Sequence, residues 1–214
     1  MNKHFEELID RYPSLSVCAE AIEDAASLLR VCYANGGKLL VCGNGGSASD
    51  ALHIVGELMK AFVLPRQVSA EEAEALLAVG GEDGAYLCQN LQRALPAISL
   101  VSEAALTTAY ANDVAPELAF AQQVFGYGQK GDAFLGITTS GNSKNVLLAA
   151  KVARAQGMCV IGLTGEGGGK LAELCDVCIA VPDRETYRIQ ELHLPIYHAL
   201  CLYLESEFFG EGEA

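Results

Sequence analysis

A loop rich in hydroxyl groups is the stretch of this sequence best suited to binding a ligand. It lies within Gly136–Asn145, between an apolar run at 133–135 and a helical pattern, and it contains Thr138, Thr139, Ser140 and Ser143. A loop between a strand and a helix offers free backbone N–H groups and the positive end of the helix dipole, which together bind anions. The pattern therefore predicts a phosphate site. An ordinary capped helix start is the alternative, because Ser and Asn are favoured caps.

Acidic and histidine side chains recur along a helical segment that follows residue 47. Asp50, His53 and Glu57 lie on one face, and the last two could bind a divalent metal or share a proton. A solvated helix face is the alternative for such a pair. The last helical segment contains further candidates: Gln190, Glu191, His193 and His198. Histidines in an apolar helix are usually core or interface residues.

Two short turns add polar groups. The turn Gly43–Ser47 reads GNGGS, and it lacks the glycine spacing of a dinucleotide site. Its glycines instead indicate a backbone pressed close to a ligand, with a plain strand-to-helix turn as the alternative. The pair Asn112-Asp113 is typical of an ordinary turn.

These candidates must be positioned by alternating strands and helices. Short apolar runs predict five strands at 38–42, 97–101, 133–135, 160–164 and 177–181. Helical patterns separate them. Strands and helices that alternate in this way predict a doubly wound parallel sheet with helices on both faces.

We interpret the chain, 1–214, as one domain. Two of its segments do not belong to the alternating strands and helices. In the N-terminal segment, 1–36, the pattern predicts helices at 3–11 and 14–35. We expect the apolar face of the second helix to form a subunit interface. Residues 63–95 predict a helical insertion that begins with a capping box at Ser69 and continues with a second helix at 85–95. The insertion could be a lid or an interface.

Composition excludes some classes of function. The net charge of −13 and the pI near 4.6 argue against non-specific binding to nucleic acid, so any phosphate site must be local. No apolar run approaches the roughly 18 residues that span a bilayer, and the first residues are too charged for a signal peptide. We expect a cytoplasmic protein that does not bind membranes. A hydrophobic content of 51% suggests buried subunit interfaces.

The eight cysteines give little sign of chemistry. Most stand among aliphatic residues, where a reduced thiol behaves as a small core side chain. Cys175 and Cys178 have CxxC spacing, but a second pair is missing from the sequence.

Four motifs in order resemble a known family. They are CGNGGSASDALHIVGEL, AND, GITTSGNSKN and RIQELHLPIYH. Together they resemble the SIS (sugar isomerase) domain, and more specifically the phosphoheptose isomerases, which convert sedoheptulose 7-phosphate to glycero-manno-heptose 7-phosphate. The resemblance implies a flavodoxin-like, five-stranded parallel sheet. It also implies a homotetramer with its sites between subunits.

The resemblance assigns roles to residues through the matching motifs. Those that would contact the sugar are Asn44, Gly45, Gly46, Ser47, Asn112 and Asp113. Those that would hold the phosphate are Thr138, Thr139, Ser140 and Ser143. The positions that bind zinc in some members, and do acid–base work around the substrate, are His53, Glu57, Gln190 and His198. Interconverting a ketose and an aldose moves a proton between adjacent carbons through an enediol, and Glu57 and His198 are the acid–base candidates for that step.

Alternatives to this isomerase remain open. Tyr187 stands where several members have a carboxylate, so another sugar phosphate could be the substrate. Some SIS tetramers act as adaptors for a replication-initiator protein without a known reaction, but an adaptor does not need the four acid–base or metal residues. A SIS sensor of a transcription factor is disfavoured because the sequence offers no helix-turn-helix segment.

Overall fold

The computed structural model describes residues 2–210, and Met1 and residues 211–214 lie outside that range. At its centre is a sheet of five parallel strands in the order β2-β1-β3-β4-β5. The strands are β1 Leu39–Gly43, β2 Ala97–Ser99, β3 Ala133–Thr138, β4 Cys159–Thr164 and β5 Val177–Ala180. This order is that of flavodoxin-like folds. The predicted five-stranded, doubly wound α/β architecture is confirmed.

Helices cover both faces of the sheet. Within residues 2–210 they are α1 Lys3–Arg11, α2 Ala19–Ala34, α3 Gly46–Met59, α4 Ala70–Gly80, α5 Gly84–Asn90, α6 Ala104–Asp113, α7 Ala119–Tyr127, α8 Lys144–Ala155, α9 Gly169–Ala172 and α10 Thr186–Phe209. No helix in this part of the chain is both long and apolar enough to cross a membrane.

The apolar strands divide the core into two layers. In β1, Leu39 and Val41 face the layer formed by α1, α2, α3 and α10. Leu40 and Cys42 face the layer formed by α7, α8 and α9. Successive side chains of a strand point to opposite faces, so a strand buried on both sides is apolar throughout. That is why these strands read as continuous apolar runs.

The apolar face of α2 is covered within the chain. Ile22, Ala25 and Leu29 are buried in the layer beside α10 and the sheet. The expectation that a subunit interface explains this face is therefore wrong, because the sheet itself accounts for it. The predicted helix also begins later, since Pro13–Cys18 forms a 3-10 turn before α2.

The segment 63–95 contains two helices, as predicted, and the structure packs them against each other as a hairpin. Ser69 and Glu72 make the reciprocal capping box at the start of α4, and α5 follows after a short 3-10 turn. The second helix ends at Asn90 rather than at residue 95, because the next residues pair with other parts of the chain. The Arg93 N–H donates to the Arg66 carbonyl over 2.7 Å, and the Leu95 N–H donates to the Leu58 carbonyl over 2.9 Å.

A buried ion pair anchors the base of this hairpin. The Arg66 Nε donates to Glu205 Oε1 over 2.8 Å, and both side chains are buried. Arg66 also donates to the backbone carbonyls of Leu58 and Glu57, over 2.7 and 3.1 Å. Glu205 accepts three backbone N–H groups from the segment 62–64. These hydrogen bonds fasten the end of α3, and with it Glu57, to α10.

Candidate active site

The loops that follow β1 and β3 meet at one edge of the sheet. Parallel pairing places Gly43 beside Ile137, so the turn after β1 and the hydroxyl-rich loop after β3 are neighbours. Their side-chain amides join them: Asn44 donates to Asn145 over 3.0 Å, and Asn145 donates back over 2.9 Å. Sequence analysis assigned no role to Asn145, whose partner is 101 residues away. The paired amides hold the two loops together.

A cavity of about 340 Å³ opens between these loops. We call it the hydroxyl cradle, and it is lined by Asn44, Gly45, Gly46, Ser47, Ile137, Thr138, Thr139, Ser143, Thr186 and Gln190. All ten residues are uncharged. Neutral hydroxyl and N–H donors at the start of a helix are the groups that bind phosphate in α/β proteins. A wider cleft of about 1050 Å³ beside Pro65 and Phe209 contains none of the predicted site residues, so size alone does not locate the site.

The hydroxyls of the β3 loop are arranged for more than capping a helix. Ser143 is the N-cap residue of α8, yet its side chain makes no capping hydrogen bond. Its Oγ lies 2.9 Å from Thr138 Oγ1 instead. The alternative of an ordinary capped helix start is therefore wrong for Ser143. The Val146 N–H in the first turn of α8 donates to Asn145 Oδ1 over 3.0 Å, and the N–H groups of Lys144 and Asn145 remain available to an anion.

Ser140 and Gly141 shape the loop. The Ser140 Oγ accepts the N–H of Asn142 over 3.1 Å, and Ser140 lies outside the lining of the cradle. Gly141 has a φ of +64°, and a Cβ there would overlap the backbone carbonyl of Gly168 in the next loop. The Gly141 carbonyl accepts the N–H of Leu171 over 2.9 Å. Only glycine allows the two loops to pack this closely.

Gly46 and Gln190 bring α3 and α10 together at the cradle. A Cβ on Gly46 would overlap the side-chain amide of Gln190. Thr186, which sequence analysis missed, lines the cradle at the start of α10. The neighbouring Tyr187 is exposed, and its hydroxyl accepts the Arg188 Nε–H over 3.0 Å. In the sequence, Thr186 could have been found only through its neighbour Tyr187, which stands where several family members have a carboxylate.

A second group of polar side chains lies further along the same two helices. The His53 Nε2 is 3.1 Å from Glu57 Oε1, and the rings of His53 and His198 lie 5.0 Å apart at 88°. We call these three residues the histidine–glutamate group. Lys60 donates to the other Glu57 oxygen over 3.0 Å. The structure therefore brings together His53, Glu57 and His198, as expected from the motifs.

Electrostatics favour a neutral His198 at neutral pH. Burial lowers the pKa of His198, and the nearby His53 lowers it further. Its Nε2 is buried and has no hydrogen-bond partner among the described residues. A neutral imidazole with a free ring nitrogen can accept or donate a proton, which is the property that acid–base catalysis requires.

Gln190 is separated from the other three members of the predicted metal set. It lines the cradle, eight residues before His198, which is about 12 Å along a helix. Among residues 2–210, no three His, Cys, Asp or Glu side chains converge in a way that could hold a metal ion. The His53 nitrogen and Glu57 oxygen that would coordinate zinc face each other instead. Zinc binding by these residues stays a prediction, and it would require the contact between His53 and Glu57 to open.

Asn112 and Asp113 do not reach the cradle in the single chain. They end α6, where both are exposed, and Asn112 donates to the Asp113 carboxylate over 2.7 Å. They continue a helix rather than forming the turn expected for this pair. Their contact with a sugar stays a prediction.

Comparison with known proteins shows the family of this chain. The SIS domain family matches residues 97–205, and a second SIS domain family matches residues 5–81. The phosphoheptose isomerase of Rhodospirillum rubrum is 39% identical over 196 residues, covering 92% of this chain and 90% of the relative. That of Helicobacter hepaticus is 43% identical over 192 residues, covering 90% and 85%.

Solved structures give the same result. The phosphoheptose isomerase of Neisseria gonorrhoeae superposes with a TM-score of 0.74 at 36% identity, covering 95% of each chain. That of Francisella tularensis superposes with a TM-score of 0.75 at 34% identity, covering 96% of each chain. The sugar isomerase domain of an RpiR transcription factor, at 13% identity and a TM-score of 0.53, shares the fold alone. Fold, motifs and relatives agree, and the chain belongs to the SIS-domain family of phosphoheptose isomerases.

Proposed function

We propose that the protein interconverts sedoheptulose 7-phosphate and D-glycero-D-manno-heptose 7-phosphate. The observation on which this depends is the parallel packing of α3 and α10. Their N-terminal parts meet at the hydroxyl cradle through Gly46 and Gln190, and later turns bring His53 next to His198. A sugar phosphate held at one end would extend toward acid–base groups at the other.

The phosphate would lie in the cradle. Thr138, Thr139 and Ser143 supply hydroxyl donors, and the first turn of α8 supplies backbone N–H groups. Ser140 is the fourth residue predicted to hold the phosphate. Its hydroxyl would have to turn from the Asn142 N–H toward the cradle to do so. The sugar would be contacted by polar groups of the β1 loop and of α10, namely Asn44, Gly45, Gly46, Ser47 and Gln190. Hydrogen bonds to a charged phosphate are stronger than those between neutral groups.

Proton transfer would be the work of the histidine–glutamate group. Glu57 removes the proton from the hydroxyl-bearing carbon beside the carbonyl, and the enediol forms as electrons move to the carbonyl oxygen. The Glu57 carboxyl group then delivers a proton to the neighbouring carbon, and exchange with solvent while the proton is on Glu57 lets deuterium enter in D₂O. His198 passes the proton between the two oxygens, for which its lowered pKa suits it. Atoms and charge balance, so no external oxidant or reductant is needed.

A homotetramer with sites between subunits is part of this proposal. Asn112 and Asp113 lie outside the cradle of their own chain and could reach that of a neighbour. Several large apolar side chains are exposed, among them Val79 and Phe125. Light scattering should give about four times the chain mass of 22.6 kDa.

Zinc is a separate part of the proposal. Imidazole nitrogen and carboxylate oxygen are donors that zinc takes, and His53, Glu57 and His198 supply them. A zinc ion would polarise the carbonyl group. Binding it would require the 3.1 Å contact between His53 and Glu57 to open. Metal content measured by mass spectrometry, with activity before and after chelation, tests this part independently.

A cytoplasmic location is also proposed rather than observed. All eight cysteines are free thiols, which is the state that a reducing compartment maintains.

The decisive experiment is proton exchange in D₂O. The protein is incubated with a panel of ketose phosphates of different chain length, and deuterium uptake at carbon is followed by mass spectrometry. We expect uptake with sedoheptulose 7-phosphate and little with shorter ketoses. Uptake with another ketose alone would reassign the substrate, which the position of Tyr187 leaves open. No uptake with any of them would contradict an isomerase and favour the adaptor.

A further inference from the structure

Cys175 and Cys178 form a thiol pair beside the edge strand β5. Parallel pairing places Cys178 beside Gly162 of β4. A Cβ added to Gly162 would lie 2.8 Å from the Cys175 sulfur and 3.4 Å from the Cys178 sulfur, so the two sulfurs converge over one glycine. Both cysteines are free and partly exposed. The CxxC spacing of the sequence is therefore also a pair in space.

The backbone between the two cysteines is held against β4. The Asp176 N–H donates to the Val160 carbonyl over 2.8 Å, and the Asp176 carboxylate accepts the Val160 N–H over 2.8 Å. On the other side, the Cys175 N–H donates to the Leu171 carbonyl over 3.1 Å. These hydrogen bonds fix the segment relative to Gly162, so the approach of the two sulfurs is built into the fold.

Cys178 is the more acidic thiol of the pair. A hydrogen bond from the Cys175 thiol lowers the pKa of Cys178 against the effect of burial, and the Thr164 hydroxyl, 3.6 Å from the Cys178 sulfur, lowers it further. The contact with Cys178 raises the pKa of Cys175. Burial raises the pKa of five further thiols, those of Cys18, Cys32, Cys42, Cys159 and Cys201. Because the thiolate is the reactive form, Cys178 is the sulfur of this pair that reacts first.

The thiol pair also touches the loop that packs against the hydroxyl cradle. A Cβ on Gly168 would lie 3.1 Å from the Cys178 sulfur, and the Gly168 carbonyl packs against Gly141 of the β3 loop. The Lys170 N–H donates to Asn142 Oδ1 over 3.2 Å, which ties the same two loops together. One residue, Gly168, therefore separates the Cys178 sulfur from the loop that contains the predicted phosphate donors.

We propose that Cys175 and Cys178 are a site of reversible oxidation by hydrogen peroxide, and that their disulfide weakens phosphate binding in the hydroxyl cradle. The Cys178 thiolate attacks one peroxide oxygen and the O–O bond breaks. The sulfur becomes a sulfenic acid, and the departing hydroxide takes up the proton that Cys178 released, which gives water. The Cys175 sulfur then attacks the Cys178 sulfur, the S–O bond breaks, and the hydroxide leaves as water with the Cys175 proton. A thiol reductant restores both thiols.

The disulfide would disturb the packing between the two loops. Bonded sulfurs lie about 2.05 Å apart, closer than two thiols in contact can lie. The Cys178 sulfur would therefore shift relative to Gly168 and to the Thr164 hydroxyl, and Gly141 would lose a fixed neighbour. The effect on phosphate binding rests on the proposed function, whereas the oxidation itself does not.

The first test is oxidation of the full chain by hydrogen peroxide. Remaining thiols are blocked with iodoacetamide, and trypsin then cleaves after Lys170 and Arg184, which leaves both cysteines in one peptide. Mass spectrometry should show that this peptide loses two hydrogens and that dithiothreitol reverses the loss. In Cys175→Ser, the sulfenic acid of Cys178 has no thiol to react with and should be trapped by dimedone. The matched control is Cys88→Ser, at another partly exposed cysteine, which should form the disulfide as the native protein does.

The second test compares the reduced and the oxidised protein. Calorimetry with sedoheptulose 7-phosphate is done in the Glu57→Gln background, where the ligand is not turned over. We expect the Kd to rise about 10-fold on oxidation, the loss that follows when one hydrogen bond to a charged group is misplaced. Cys178→Ser in the same background should keep the affinity of the reduced protein before and after peroxide. Amide hydrogen exchange within 138–145 and 165–171 should become faster in the oxidised native protein, with or without ligand.

The outcomes separate this proposal from the proposed function. No disulfide in the folded native protein, or a disulfide in a different pair, would overturn the oxidation site. A disulfide between Cys175 and Cys178 with unchanged affinity would overturn its effect on the cradle. The disulfide and faster exchange in a protein that binds no sugar phosphate in either state would support the oxidation site and contradict the proposed function. If Cys178→Ser does not fold, Cys175→Ser also prevents the disulfide and takes its place.

Discussion

The hydroxyl cradle and the histidine–glutamate group are built in different ways. The cradle consists mainly of two loops at the ends of adjacent strands, and its donors are neutral hydroxyls and backbone N–H groups. The histidine–glutamate group consists of titratable side chains from two helices, held by tertiary packing. A phosphate needs many fixed donors close together, which one loop can supply. Proton transfer needs groups of tuned basicity, which burial and neighbouring side chains supply.

This comparison predicts that binding and chemistry can be separated by mutation. Changes in the histidine–glutamate group should reduce turnover and leave affinity alone, whereas changes in the cradle should reduce affinity. The link between the two is α10, which contributes Gln190 to one and His198 to the other. Four predictions test this division, in order of decreasing effect.

The largest effect is expected from Glu57→Gln. The amide has the shape of the carboxylate but cannot take up the carbon proton, so turnover should fall by about 10²–10⁴-fold, which is roughly 3–5 kcal/mol. Affinity for sedoheptulose 7-phosphate, measured by calorimetry, should change little. Glu71→Gln on the exposed face of α4 is the matched control. Full turnover in Glu57→Gln would remove Glu57 from the chemistry.

Gly141→Ala should damage the cradle. The residue has a φ of +64°, and the added Cβ would overlap the Gly168 carbonyl, so both strain and overlap reduce the free energy of unfolding, by about 3–4 kcal/mol. Affinity for the sugar phosphate should fall as well. The control is Gly131→Ala: this residue has a φ of +92° with open space around it, so only the strain of about 1–2 kcal/mol is expected. Equal losses in the two variants would show that the loops do not need close packing.

His193 lies on α10, the helix that the hydroxyl cradle and the histidine–glutamate group share, and it should make the stability of the protein depend on pH. Burial lowers its pKa to about 4, and its Nε2 lies 3.2 Å from the Thr164 carbonyl, while its Nδ1 has no partner among the described residues. The unfolded chain binds a proton on this histidine near pH 6.5, and the folded chain does so only near pH 4. The free energy of unfolding should therefore fall between pH 6.5 and pH 4, on the order of 3 kcal/mol in all.

Denaturant unfolding at several pH values measures this loss. His193→Gln keeps a donor near the Thr164 carbonyl but does not titrate, so its stability should depend less on pH over the same window. The same pH dependence in both proteins would mean that other groups cause it.

The smallest effect is expected for single hydroxyls of the cradle. Thr139 lines the cavity, so Thr139→Val should weaken binding of sedoheptulose 7-phosphate by about 1 kcal/mol or somewhat more. Ser140→Ala should cost less, because the Ser140 hydroxyl already accepts the Asn142 N–H. Affinities are best measured in the Glu57→Gln background, where the ligand is not turned over. Native affinity in both variants would contradict a phosphate site in this loop.

Much of this molecule follows from local sequence. The five apolar runs predicted the strands, and the parallel sheet followed from their alternation with helices. The loop Thr138–Ser143 was predicted as a ligand site because its hydroxyl residues are close together in the chain, and three of those four hydroxyl residues line the cavity. The capping box at Ser69 was equally local. Interactions between near neighbours depend on little else than residue type and spacing.

Other features were decided by tertiary packing. The apolar face of α2 was visible in the sequence, but periodicity cannot tell a sheet of the same chain from a partner subunit. The partner of His53 is Tyr197, 144 residues away, and that of Arg66 is Glu205, 139 residues away. From the sequence alone, a tyrosine or a histidine in an apolar helix is predicted to be a core residue, and its hydrogen-bond partner cannot be predicted. The sequence thus determined which chemical groups the protein has, whereas the packing of α3 against α10 decided which of them meet, because only that packing brings distant side chains within hydrogen-bonding distance.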